Sequence, residues 1–423
     1  MDYKGGITTI LIFLCFFLQS QNLPEGNLVI VGGALENNNK SIFTQLIDLA
    51  GGANAASFAI IPSASGVSVQ SFEYFKKALV SYGVKPEKIN LIPIAMVDDD
   101  STKDVNEANW KNNGNDQKLA EIVRNCSAVW FSGGDQARTI KTLVKPDGSR
   151  TVVLEAVWDV FENGGVVGGT SAGAAIMSEA MIGAGNSLGA LTHGAVVNYK
   201  GDDFPEGDGV LMTKGLGFFP LGIVDQHFNA RARIGRLIVA LFHENEKFKK
   251  GFGIDENTAL IYVGKEKKLK VAGAGGVTFI DTEEAEIKNH KEMPEIYDLL
   301  ISYLEDGDSF DILSGISIPA DGKKQTRGNE YYNIKNPGLT GIFSGYSSGF
   351  HELITKNLID NKGTNEVKNL SFFEKDQGYL VTLRKTPDSK GFYTDKPDGE
   401  DHYTVVNIRM DMIPVKVLIT PIK

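Results

Sequence analysis

From Asn27 onward the chain alternates short runs that are apolar on both faces with segments of helical period. LVIVGGAL (28–35), SFAIIPSAS (57–65), INLIPI (89–94), AVWFSGG (128–134) and GGVVGG (164–169) are such runs, and a helical pattern fills 71–82 between the second and the third. Strands buried on both sides and separated by helices predict a parallel sheet covered on both faces. ALIYVG (259–264) and KLKVAGAGGVTFID (268–281) extend the series. Together these place one α/β domain over 24–322. Composition then changes: 319–338 is polar and reads as a linker, and GYLVTLRK, HYTVVNIRM and VKVLITPIK beyond it alternate as strands do. A small, mostly β domain is expected over 323–423, without identifiable chemistry. Gly273, Gly275 and Gly276 form no dinucleotide fingerprint, because no helical pattern follows them.

At the N-terminus, ITTILIFLCFFL (7–18) is too short to span a bilayer and is followed by polar residues. It reads as a secretory signal peptide over 1–20, with a mature, secreted or periplasmic protein beginning near Gln21. Removal of that segment leaves Cys126 as the sole cysteine, so no internal disulfide can form. The formal net charge of -10 disfavours nucleic acid or an anionic membrane as partner; it suits a cationic substrate or simple solubility. No His/Cys pattern calls for a metal, and no cofactor is expected.

The stretch VVGGTSAGAA (166–175) sets Ser171 between glycines, after a buried-type strand and before a good helix sequence. That is the context of a nucleophile elbow, a sharp strand-to-helix turn that exposes the serine oxygen and aims the amide of Ala172 at a developing oxyanion. A serine needs a base. Among six histidines, His227 stands out at the end of the strand GIVDQHF (222–228), where open α/β sheets place their ligand sites. Arg231, Arg233 and Arg236 follow directly. They are either a solvated helix face or forks for carboxylates. FSGGDQ (131–136) is a second glycine turn: amides at Gly133 and Gly134 are candidate oxyanion donors, and Gln136 a substrate contact.

Taken in order, GGTSAGAA, FSGGDQ, DQHFNARARIGRL and GIDENTAL resemble the cyanophycinase family of serine peptidases, related to aspartyl dipeptidase and distantly to class I glutamine amidotransferases. The resemblance covers about 27–282. It implies a flavodoxin-like fold and hydrolysis of cyanophycin, a poly-aspartate with arginine side groups, to β-Asp-Arg dipeptides. It also implies a homodimer. The family's nucleophile falls on Ser171 and its base on His227. Its substrate pocket falls on Gln136, Asp225, Gln226, Arg231, Arg233 and Arg236. The triad acid is expected fifteen to twenty positions after the nucleophile, but NSLGALTH (186–193) holds no carboxylate. The loop that follows does, at Asp202, Asp203 and Glu206, and these are the candidates. The alternatives are an aspartyl or isoaspartyl dipeptidase on the same fold, or a silent binding protein.

Overall fold

The computed structural model describes residues 23–201, 203–288, 293–335, 341–343, 349–372, 376–395, 401–416 and 418. The signal segment expected over 1–20 lies outside them. Five strands, β1 (Asn27–Val31), β2 (Phe58–Ile61), β3 (Ile89–Leu91), β4 (Ala128–Phe131) and β5 (Val166–Thr170), form a parallel sheet in the order 1-5-4-2-3. Successive side chains of a strand point to opposite faces, and both faces here are covered. Val29, Val31, Phe58, Ile60 and Trp130 pack against helices α1 (Lys40–Leu49) and α2 (Ser68–Ser81), through Phe43, Leu46, Phe72 and Phe75. Leu28, Ile30, Ile61, Val129 and Phe131 face the opposite way. They share a core with residues of α3 (Gln117–Arg124), α4 (Gln136–Leu143) and α5 (Val152–Glu162). Apart from Asn27, Asn90 and Thr170, each strand therefore reads as apolar, which is why the five runs were legible.

Beyond β1 the sheet turns antiparallel, through Thr258–Val263, Lys268–Gly273, Ser309–Asp311 and Ile316–Ile318. The run 268–281 is two strands. Gly273, at φ +127°, turns the chain, and Gly276–Asp281 enters a second sheet. That second sheet begins with the parallel pair Ile223–Asp225 and Lys250–Ile254.

Strand pairing runs across the boundary expected at 322/323. The long strand Asp401–Lys416 pairs with Glu295–Glu305, which pairs with Gly276–Asp281, so one sheet crosses the boundary. Its core mixes residues from both sides of it, among them Leu237, Ile238 and Leu241 with Leu353, Val381 and Ile408. The polar stretch read as a linker is anchored as well: Lys323, almost fully buried, pairs with Asp308 at 2.9 Å.

Candidate active site

Carboxyl ends of strands from both sheets meet at one place. β5 runs into Ser171, which is followed by the short helix α6 (Ala172–Ala175). Ser171 adopts φ 55°, ψ -110°, a sparsely populated conformation for a non-glycine residue that costs about 1–3 kcal/mol. Its neighbours explain the glycines of the motif. A Cβ on Gly169 would stand 2.6 Å from the Gly173 carbonyl oxygen, and one on Gly173 would stand 2.4 Å from that of Phe131. Only hydrogen fits in either place, so the turn closes tightly and presents the hydroxyl.

From the second sheet, Ile223–Asp225 ends just before His227, and the adjacent parallel strand Lys250–Ile254 ends just before Asp255 and Glu256. Ser171 Oγ and His227 Nε2 lie 2.9 Å apart; on the other side of the ring, His227 Nδ1 lies 2.5 Å from Glu256 Oε1. His227 itself sits at φ 47°. Its ring rests on Gly33, where a Cβ would come within 2.3 Å of the imidazole. Within LVIVGGAL, Gly33 is thus the floor beneath the histidine, while Gly32 packs on the backbone of Ile254 and Asp255, a use their sequence setting did not reveal.

Burial, the largest influence, holds the His227 imidazole below its ordinary range; the Glu256 hydrogen bond pulls the other way, and Arg231 and Arg233 add to the depression. The neutral ring is therefore favoured. Glu256 fixes its tautomer by accepting the Nδ1 proton, which leaves the Nε2 lone pair facing the serine.

The carboxylate partner of His227 is Glu256, not an acid of the 198–209 loop. Asp203 is exposed, and its carbonyl takes the Tyr199 hydroxyl. Glu206 acts on Arg233, and its carbonyl takes the Asn186 amide. Asp202 lies outside the described residues. Glu256 stands 29 residues beyond the histidine, within GIDENTAL. Its one mark in the sequence was its place in GIDENTAL, among the motifs that carry the resemblance. A search confined to the span after the serine passes over it.

The arginine cluster divides. Arg236 and Asp225, each almost fully buried, form a bidentate pair, Nε–Oδ2 2.8 Å and Nη2–Oδ1 2.6 Å, and Arg236 also donates to the Gly185 carbonyl at 2.5 Å. Burial works against the Asp225 charge, but Arg236 outweighs it and holds the carboxyl below the usual range. Arg233 is 6% exposed and donates to the Gln226 carbonyl at 2.7 Å. Asp225, Arg233 and Arg236 are thus partners of one another, packed in the interior beside the His227 loop. Arg231 alone of the three arginines is exposed, close enough to act on His227.

Gln226 is buried, its side-chain oxygen without a protein partner among the described residues. Gln136 opens α4 and donates to the Gly183 carbonyl. Of the two candidate glycines in FSGGDQ, Gly133 borders Ser171, with 3.3 Å from its ideal Cβ to the serine Cβ. Gly134, at φ +138°, packs instead on Ala64, where a Cβ would stand 2.0 Å from the carbonyl oxygen. Ala172 follows the serine directly, and as the first residue of α6 its amide has no intrahelical acceptor.

An open cavity of about 480 Å³ lies over Ser171 and His227, walled by Leu35, Asn37, Gln70, Ser71, Tyr74 and Trp130 among others. None of its described lining residues is a carboxylate. Among the described residues no group of three or more His, Cys, Asp or Glu side chains is placed to hold a metal ion, and no helix is long and apolar enough to cross a membrane.

This arrangement agrees with what the chain resembles elsewhere. The model of peptidase family S51 matches residues 28–270. A cyanophycinase of Geminocystis herdmanii is 31% identical over 293 residues, 68% of this chain and 93% of that protein. One of Synechococcus elongatus is 30% identical over 294 residues, 68% and 80% of the two chains. A solved peptidase from an acI-B1 Actinobacterium aligns over 68% of this chain and 96% of that one, at 20% identity and a TM-score of 0.45. Matched over more than half its length, the chain belongs to peptidase family S51 and is a serine-type peptidase.

Proposed function

We propose that the protein hydrolyses cyanophycin by an acyl-enzyme mechanism in which Ser171 is the nucleophile, His227 the base and Glu256 the orienting acid. The observation that carries this reading is the unbroken chain Ser171 Oγ–His227 Nε2, His227 Nδ1–Glu256 Oε1, set at the mouth of a cavity. His227 takes the serine proton as Oγ attacks the carbonyl, and the Ala172 amide, joined by that of Gly133, receives the oxyanion. His227 then returns the proton to the leaving amine. Water, activated by the same imidazole, releases the acyl group. The relatives named cyanophycinase support the substrate.

Arg231 is the group we assign to the substrate's carboxylates. Arg231→Ala removes a charge-assisted contact of about 1.5–3 kcal/mol and should lower the rate of clearing insoluble cyanophycin by roughly ten- to a hundredfold. Labelling of Ser171 by a small serine-directed reagent should stay near the wild-type rate. Arg236→Ala should instead unfold the protein more easily, by about 3–5 kcal/mol, because it strands a buried carboxylate. Full cyanophycin activity in Arg231→Ala would remove it from the substrate site.

One observation favours a second reading. With no carboxylate among the cavity's described lining residues, an arginine side group would find only amides, hydroxyls and aromatic faces there. An aspartyl or isoaspartyl dipeptidase has no guanidinium to accommodate. Wild-type protein that splits Asp-containing dipeptides but leaves cyanophycin turbid would decide for it.

The apolar segment 7–18 supports export to the periplasm or beyond. N-terminal sequencing of the exported protein should give a start near Gln21; a product retained in the cytoplasm and beginning at Met1 contradicts it.

A further inference from the structure

Behind the proposed triad lies a second acid that the chemistry does not use. Asp255, beside Glu256, is buried; its Oδ1 accepts the Asn229 amide and its Oδ2 the Gly276 amide, each at 3.1 Å. Asn229 lies two residues past His227. One carboxylate therefore ties the histidine's loop to the strand end that carries Glu256. The side chain facing it comes from far along the chain. His351, in the helix Gly349–Ile354, places Nδ1 3.7 Å from Asp255 Oδ2, and its ring packs on Tyr303 with centroids 4.2 Å apart. Its Nε2 is buried, with no protein partner among the described residues. Burial pushes the Asp255 carboxyl up; His351 and then the two amides oppose that, while Glu305 adds to it. Residues 349–354 lie outside the matched family region of 28–270.

We propose that His351 is a positioning residue: it sustains the Asp255 carboxylate that clamps the His227 loop to the Glu256 strand end. The C-terminal region thereby sets the alignment of the catalytic pair. This rests on the triad reading above. A buried carboxylate is poorly tolerated without polar groups held against it. When the clamp slackens, the Glu256–His227 hydrogen bond lengthens, and misplacement on the ångström scale costs catalysis rather than substrate binding. Because that hydrogen bond raises the His227 pKa, its weakening moves the acidic limb of the kcat/KM profile to lower pH.

The test uses the full chain and the double-mutant cycle of His351→Gln with Asp255→Asn. We expect His351→Gln to lower kcat by about ten- to a hundredfold with KM within about twofold, and to shift the acidic limb downward. In the Asp255→Asn background the same change should have little further effect, since no buried charge remains to sustain. Should His351→Gln fail to fold, Asp255→Asn alone carries the test, with the same loss of kcat and the same limb shift expected. A folded His351→Gln protein with wild-type kcat and acidic limb overturns the inference. So does a loss additive with Asp255→Asn that leaves the limb in place, which marks general structural damage. Full activity in Glu256→Gln would instead sink the triad reading itself, so the two failures are distinguishable.

Discussion

Ser171→Ala should lower kcat by roughly four to six orders of magnitude while the protein remains folded. The loss is large because the proposed mechanism forms the acyl bond on this hydroxyl; what remains is the oxyanion site and substrate binding acting on water. The fold should tolerate the change. Ser171 Oγ is bonded to His227 and to no other described group, and α6 takes no side-chain cap from it. Alanine also keeps the Cβ that the turn already holds at φ 55°, so the strain is unaltered. Steady-state hydrolysis of cyanophycin and of Asp-containing dipeptides, beside a thermal melt, checks both halves. An active alanine variant would end the assignment of the nucleophile.

Glu256→Gln should cost about three to four orders of magnitude in kcat, with KM little changed. A carboxylate at Nδ1 accepts a proton and so holds the imidazole in the tautomer whose Nε2 accepts from serine. An amide can turn its N–H to Nδ1 and stabilise the opposite tautomer, leaving Nε2 protonated and useless as a base. Asp203→Asn and Glu206→Gln should stay within error of wild type, since neither carboxylate bonds the histidine. The pH profile supplies a separate check. Burial keeps His227 below its ordinary range, so wild-type activity should persist into acid below about pH 6.5 before the ring protonates. Removing the Glu256 charge should move that limb lower still, and removing Arg231 should move it higher, because one raises and the other lowers the imidazole's affinity for a proton. A wild-type rate in Glu256→Gln, or shifts of opposite sign, would contradict the triad.

Much of this was legible before any coordinates. A parallel strand with both faces covered must be apolar at nearly every position, so β1 to β5 announced themselves as near-continuous runs. The elbow was legible because a sharp turn admits only small neighbours, and Gly169 and Gly173 have no room for a Cβ. His227, at a strand end in the same domain, followed from the habit of α/β sheets to place ligands at carboxyl edges.

The remainder depended on distances between segments that local pattern does not encode. Glu256 meets His227 because Lys250–Ile254 lies parallel beside Ile223–Asp225, and strand pairing across 29 residues leaves no local mark at the acid itself. Arg231, Arg233 and Arg236 look alike as letters. Only packing separates an exposed Arg231 from Arg236, which spends its charge on buried Asp225. The polar stretch at 319–338 resembled a boundary because most of its described residues are indeed solvated; the buried side chain of Lys323, paired with Asp308, tethers it and left no mark in composition. Sequence by itself determined the parallel strands and singled out Ser171 and His227, since both follow from what one segment can bury or bend. Tertiary structure decided the third member of the site, the role of each arginine and the joining of the C-terminal strands to the catalytic sheet, because charge and hydrogen bonding take their meaning from neighbours distant in the chain.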